Sequence, residues 1–290
     1  MGSRPRAVVV TAVAFTSLSA ILIRLSTAHP IAISAYRMLF SFAMIAPFAV
    51  KGWTALSRRD LLLAAASGAF LALHFAAWIT AVTMTTVAAA TVLVSTHPIV
   101  VLLGSALFLG QKPVKGSVGL VLVAVGGAAL LSIGDSNAGN GDTAGNMLAL
   151  LGAVAVAGYM VIGSSLRRRV GALQYNSMVY GVAGVLLLTG SVLSGVPLKG
   201  YGMREFVIFL SLAFFCTILG HTLFNWALKY VRATFVSTSI LLEPIFATVM
   251  ALFVLNEIPS PVTLVGGVVI IGALRGVARR EGQAAMEVTG

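Results

Sequence analysis

Four titratable side chains stand in the middle of long apolar runs: His74, His97, His221 and Glu243. A charge or imidazole at that depth is costly in lipid and faces a partner or a wet cavity. When the chain is slid against itself by 146 residues, His97 falls on Glu243 and Pro98 on Pro244. Ile99 then meets Ile245, Pro113 meets Pro259, Ala81 meets Ala227 and Leu109 meets Leu255. His74 and His221 fall one residue out of that register. Pro47, Pro98 and Pro244 are the prolines inside apolar runs, so two of the three superpose. A proline in a helix has no N–H to give, which frees the carbonyls of Val94 and Ile240. A free carbonyl beside an ionisable side chain makes a polar notch; a plain kink in a packed bundle is the other reading.

Other polar groups share these runs. Thr217, His221 and Asn225 follow at i, i+4 and i+8, which puts them on one helix face, as His74 and Trp78 are on another. Such a stripe faces a site, or bonds to neighbouring helices. Glu243 suits proton exchange, because burial and a nearby imidazole act oppositely on a carboxyl group; a permanently paired structural acid is the alternative. Arg37, about two turns inside its run, either binds an anionic substrate group or snorkels outward. Arg24 reads as a snorkelling cation. Tyr159, Tyr175 and Tyr180 read as interfacial or packing residues. Gly116, Gly119, Gly126, Gly127, Gly266, Gly267 and Gly272 read as helix-packing positions.

The elements that must hold these groups follow from composition. Of 290 residues, 59% are hydrophobic and 9% charged. Mean hydropathy is +1.01. A soluble domain carries about a quarter charged residues, so a bilayer must solvate this surface. The apolar runs cover 7–27, 31–50, 61–83, 86–109, 114–134, 146–166, 173–194, 205–228, 233–255 and 262–279. Each is long enough to cross as a helix of about 20 residues. They are continuously apolar, unlike the alternating strands of a barrel. The thinnest boundary is Thr83 to Thr86. The first run is too long for a signal peptide and reads as a retained helix.

With the N-terminus inside, fifteen of the nineteen lysines and arginines fall on inner segments and two, Lys199 and Arg204, on outer ones. That is a strong positive-inside bias, and it accounts for the net charge of +11 without nucleic acid. The expected fold is therefore all-α membrane, with ten transmembrane helices as two inverted five-helix repeats. The first repeat is 1–134, an outer linker is 135–145, the second repeat is 146–280 and a cytoplasmic tail is 281–290. Five crossings per repeat force the second copy in from the opposite side, a plan common among secondary transporters. Cys216 is the lone cysteine, which forbids an intrachain disulfide. No phosphate-cradling G-x-x-x-x-G-K-[ST] and no H-E-x-x-H zinc motif occurs.

Several segments resemble the drug/metabolite transporter superfamily, in its EamA-domain branch. They are Ala35-Tyr36-Arg37, the run Ala72 to Trp78 around His74, Ser95 to Pro98, Gly220 to Tyr230, and Leu242-Glu243-Pro244 continuing to Leu255-Asn256-Glu257. The resemblance implies ten helices, tandem repeats, a central cavity, and export of small metabolites, amino acids or drugs, often with proton exchange. The chain departs from the family pattern at Gln111 and Lys112, where an acidic residue often ends the fourth helix.

The expected function is secondary transport of a small molecule by alternating access in the cell membrane, with both termini cytoplasmic. His74, Trp78, His97, Pro98, His221, Asn225, Glu243, Pro244 and Arg37 are the candidate substrate-binding or coupling residues. The expected partners are a small-molecule substrate, the lipid bilayer and protons, with no cofactor, no metal and no nucleic acid. An intramembrane metal-dependent enzyme using the three histidines and the glutamate, a channel, or a scaffold are the alternatives. Substrate identity and oligomeric state are left open.

Overall fold

The computed structural model describes residues 3–50, 53–85, 90, 93–134, 142–255 and 260–287. The side chain of Arg24, and residues Thr86, Asn256, Glu257 and Pro259, named above, lie outside that description. The described residues form helices and no strands. In chain order these are α1 (Ser3–Thr16), α2 (Leu18–Leu25), α3 (Pro30–Ala49), α4 (Arg58–Met84), α5 (His97–Leu109), α6 (Ser117–Gly134), α7 (Thr143–Leu166) and α8 (Ala172–Leu193). There follow α9 (Met203–Ser211), a π-helical segment Leu212–His221, α10 (Thr222–Ala227), α11 (Ala233–Ile240), α12 (Glu243–Leu255) and α13 (Pro261–Glu287).

Eight helical stretches are long and apolar enough to cross a membrane, and two apolar helices, His97–Leu109 and Ser117–Leu130, are shorter. The expected ten crossings therefore stand at eight full-length spans plus two short helices; part of the fourth run, 86–109, lies outside the described residues. Local chemistry explains most ends. His29 caps α3 by accepting from the Ile31 N–H at 3.3 Å. Ser57 caps α4 by accepting from the Asp60 N–H at 3.1 Å. Asp142 caps α7 through the Ala144 N–H at 3.0 Å. Such caps satisfy N–H groups that have no partner inside the helix. The thin boundary after Thr83 is real: α4 ends at Met84, and the Thr85 hydroxyl donates to Asn146 Oδ1 at 2.8 Å. The last helix runs on past 279, through Arg279 and Arg280, to Glu287.

Three spans depart from single α-helices. The first breaks at Ser17, where the Thr16 and Ser17 hydroxyls both donate to the Val13 carbonyl, at 2.9 and 2.7 Å. Back-bonding of this kind loosens a helix. The eighth carries the π segment: the Thr222 N–H and hydroxyl both reach the Thr217 carbonyl, five residues back. The ninth is two helices rather than one kinked helix. It turns through Leu241 and Leu242, whose N–H groups bond to Thr238 and Ser239 carbonyls at 3.2 and 3.0 Å.

The halves pack by exchange. α4 lies along α7, and in the same way α1 lies along the π segment and α10. α5 touches α7, as α11 and α12 touch α1. α3 packs on its counterpart α8, and α6 on its counterpart α13. Phe42 meets Gly181 while Leu39 meets Gly184, so α3 and α8 run antiparallel. α6 and α13 do likewise, with Leu120 at Gly276 and Gly127 at the Gly266 carbonyl. A Cβ on Gly127 would lie 2.9 Å from Val269, whereas Gly119, Gly126 and Gly272 face open space. The packing role expected of those three glycines is therefore not theirs.

Candidate functional site

α5 and α12 have the same length of 13 residues, and both begin on the ionisable residue of the repeat. Proline follows as the second residue of each, a position where its missing N–H leaves no intrahelical bond unmade. The expected notch is thus a helix start, not a mid-helix kink. In the first half it is closed: His97 is 4% exposed, and its Nδ1 pairs with the freed Val94 carbonyl at 2.9 Å. In the second half, Glu243 is partly exposed and makes no ion pair within 4.0 Å among the described residues.

Arg37 does not snorkel. It is 1% exposed, donates Nε to Thr217 Oγ1 at 2.9 Å and Nη1 to Ser19 Oγ at 3.1 Å, and lies 4.3 Å over the Phe75 ring. Thr217 and His221 both come from the π segment. Phe75 also meets the His221 ring, edge to face, at 5.4 Å. His74 pairs its Nδ1 with the Gly152 carbonyl at 2.9 Å and stacks on Trp78 at 6.2 Å. Electrostatically the group is continuous: Glu243 feels Arg37, His221 feels Arg37 and His74, and His74 feels His97 and Arg37.

Two polar atoms in this group, Trp78 Nε1 and His221 Nδ1, have no hydrogen-bond partner, and His97 Nε2 has none within 3.5 Å though the Ser237 backbone acts on the ring. Leaving a buried donor or acceptor unpaired costs about 1–3 kcal/mol. Within a membrane span such atoms persist where water or a ligand meets them. Among the described residues, no three His, Cys, Asp or Glu side chains converge as metal ligands, so the metal-enzyme alternative has no ligand set.

Asn225 parts company with the histidines. It is fully buried, donates Nδ2 to the Tyr159 hydroxyl at 2.6 Å and also to Asn176 Oδ1. Tyr175 pairs with Ser67 at 2.6 Å and Tyr180 with Thr222 at 3.0 Å. The three tyrosines are therefore buried hydrogen-bonding residues, not interfacial ones. Asn176 and Ser19 went unread in the sequence: Asn176 stands near the start of its run and looks like a surface residue, and Ser19, midway along 7–27, is an uncharged small residue of the kind that packs between helices.

A helical bundle of two matching halves, with apolar spans and buried polar side chains, is the architecture of a polytopic membrane protein. The chain belongs to the EamA-like transporter family, whose model matches residues 7–133 and again 143–279. It is 28% identical over 203 residues to an uncharacterized transporter of Clostridium kluyveri, covering 67% of this chain and 64% of that curated relative. A solved crystal structure, titled only as that of a protein, superposes with a TM-score of 0.80 at 16% identity, covering 98% of this chain and 99% of the other. That likeness shows the fold.

Proposed function

We propose that this transporter is a ten-span secondary carrier, built from two inverted halves, that exports a small polar metabolite or drug in exchange for protons by alternating access. The observation that carries the reading is the set of unpaired polar atoms on Trp78, His97 and His221 around the Arg37 and Glu243 charges. Such a set offers hydrogen bonds to a transient guest. Antiparallel packing of equivalent helices supports the inverted arrangement, because halves of opposite topology meet that way. Glu243 stands in the first turn of α12, where the helix dipole and the field of Arg37 favour its charged form and burial opposes them, so both forms are within reach. We assign it the proton.

The cytoplasmic termini rest on the lysine and arginine bias. The substrate class, amino acids or related compounds among them, rests on the polar and titratable lining. Reconstituted vesicles with an imposed pH gradient test the reading. Wild type accumulates a substrate found by ligand-induced thermal stabilisation, and Glu243→Gln exchanges that substrate without responding to the gradient. No movement of any stabilising ligand under any gradient ends the carrier reading. Full gradient response in the variant ends only the assignment of the proton to Glu243.

A further inference from the structure

At the end of the bundle where α7 turns into α8, a cavity of about 280 Å³ opens between that turn and the end of α10. It is small beside the roughly 300–1,000 Å³ of drug-sized pockets, and suits an ion or a headgroup better than a whole substrate. Its wall is cationic. Arg167, Arg168 and Lys229 line it, with Trp226 and Tyr230 beside them.

Arg167 is the unusual member. It is 3% exposed, donating Nε to the Asn225 carbonyl at 2.8 Å and a second nitrogen to the Val170 carbonyl. Among the described residues the one ion pair is Arg169 with Asp60, at 2.5 Å. Arg167, Arg168 and Lys229 thus have no carboxylate to balance them. A buried charge left uncompensated is costly unless something else pairs it. The floor of the cavity adds to the same field. α8 starts there, with Gly171 at its N-cap and no side-chain cap, so first-turn N–H groups point where an anion would lie. Guanidinium forks and an ammonium are the groups that hold phosphate oxygens. Trp226 and Tyr230, with ring centroids 4.7 Å apart, are of the type that sits at headgroup level.

We propose that this cavity binds a phosphate group, carried by an anionic lipid headgroup or taken from water. It stands apart from the mid-span cluster and does not depend on the carrier reading. The test uses purified full-length protein in an uncharged detergent, titrated calorimetrically with short-chain phosphatidylglycerol and, separately, with inorganic phosphate. Two double variants accompany wild type. Arg168→Gln with Lys229→Gln removes two exposed cations from the cavity. Lys115→Gln with Arg279→Gln removes two exposed cations on other elements, neither lining the cavity.

Cations beside a lipid phosphate each contribute enough that losing two weakens binding by at least about tenfold. That loss is expected in the cavity variant, while the other variant binds as wild type does. Binding of phosphatidylglycerol alone identifies a headgroup site, and comparable binding of inorganic phosphate identifies a soluble anion. If neither ligand binds wild type, if the cavity variant binds as wild type does, or if both variants weaken alike, the proposal is overturned.

Discussion

α5 in the first half and α12 in the second are the same length and start at the same point of the repeat, on an ionisable residue followed by proline. Yet the His97 ring turns back onto the Val94 carbonyl and is shut away, while Glu243 keeps partial exposure and makes no ion pair among the described residues. The backbone device is duplicated and the chemistry is not. A discontinuous helix can therefore serve two ends in one molecule. In one half its freed carbonyl is satisfied by a neighbouring ring and the break is structural. In the other the break presents a carboxyl group at a helix start.

The largest test of that contrast swaps neither helix but neutralises each residue. Glu243→Gln is expected to abolish accumulation driven by a pH gradient, while leaving substrate exchange in the absence of a gradient within a few-fold of wild type. His97→Gln is expected to keep both. Vesicle flux assays with labelled substrate measure the two. Equal loss in the two variants would mean that the halves share the coupling and that the asymmetry seen here is incidental.

Next in size is Arg37, whose charge acts on Glu243. Arg37→Met removes hydrogen bonds to Thr217 and Ser19. Bonds from a charged donor contribute about 1.5–3 kcal/mol each, so roughly 3 kcal/mol of stability is expected to go, read as a lowered melting temperature in detergent. Adding Glu243→Gln to that variant should restore part of it, because the carboxyl group no longer faces an empty place. A double variant no more stable than Arg37→Met alone would dissolve the electrostatic link between the two residues.

The contrast was half legible in the amino-acid order. The 146-residue register of His97 with Glu243 needs only the letters, and it marked both positions, though as notches inside continuous spans rather than as helix starts. What those side chains touch did not follow, because Arg37, Ser19 and Thr217 come from three different spans. The π segment was illegible for another reason. Leu212 to His221 has the composition of any apolar helix, and nothing in its residue types marks the wider turn. Arg167 gave no warning either: in a run of three arginines it looked like solvated charge, and it is the buried one.

A third test compares equivalent seams of the two halves. Where α1 crosses the π segment, a Cβ on Gly220 would lie 2.5 Å from Thr16 Cγ2, and the Thr16 hydroxyl is tied to Val13. Where α4 crosses α7, a Cβ on Gly152 would lie an ordinary 3.4 Å from Trp78. Gly220→Val is expected to lower stability by about 2 kcal/mol, the usual scale of overpacking. Gly152→Ala should be neutral or slightly stabilising, since alanine is the better helix former. Thermal melts distinguish them, and equal effects would make the seams alike.

The smallest expected effect bears on why His97 is a histidine at all. If its role is to close the break, what matters is a ring nitrogen within reach of the Val94 carbonyl. His97→Leu keeps the bulk and strands that carbonyl, which should cost about 1 kcal/mol. His97→Asn offers a shorter donor to the same carbonyl and should cost less. The unpartnered Nε2 makes the opposite prediction for a residue that contacts substrate, because both replacements then remove the one atom a guest would use. Melting temperature and substrate affinity thus separate. A leucine variant that is less stable but binds normally marks His97 as a closure, whereas one of unchanged stability and weaker binding moves His97 to the same side of the comparison as Glu243.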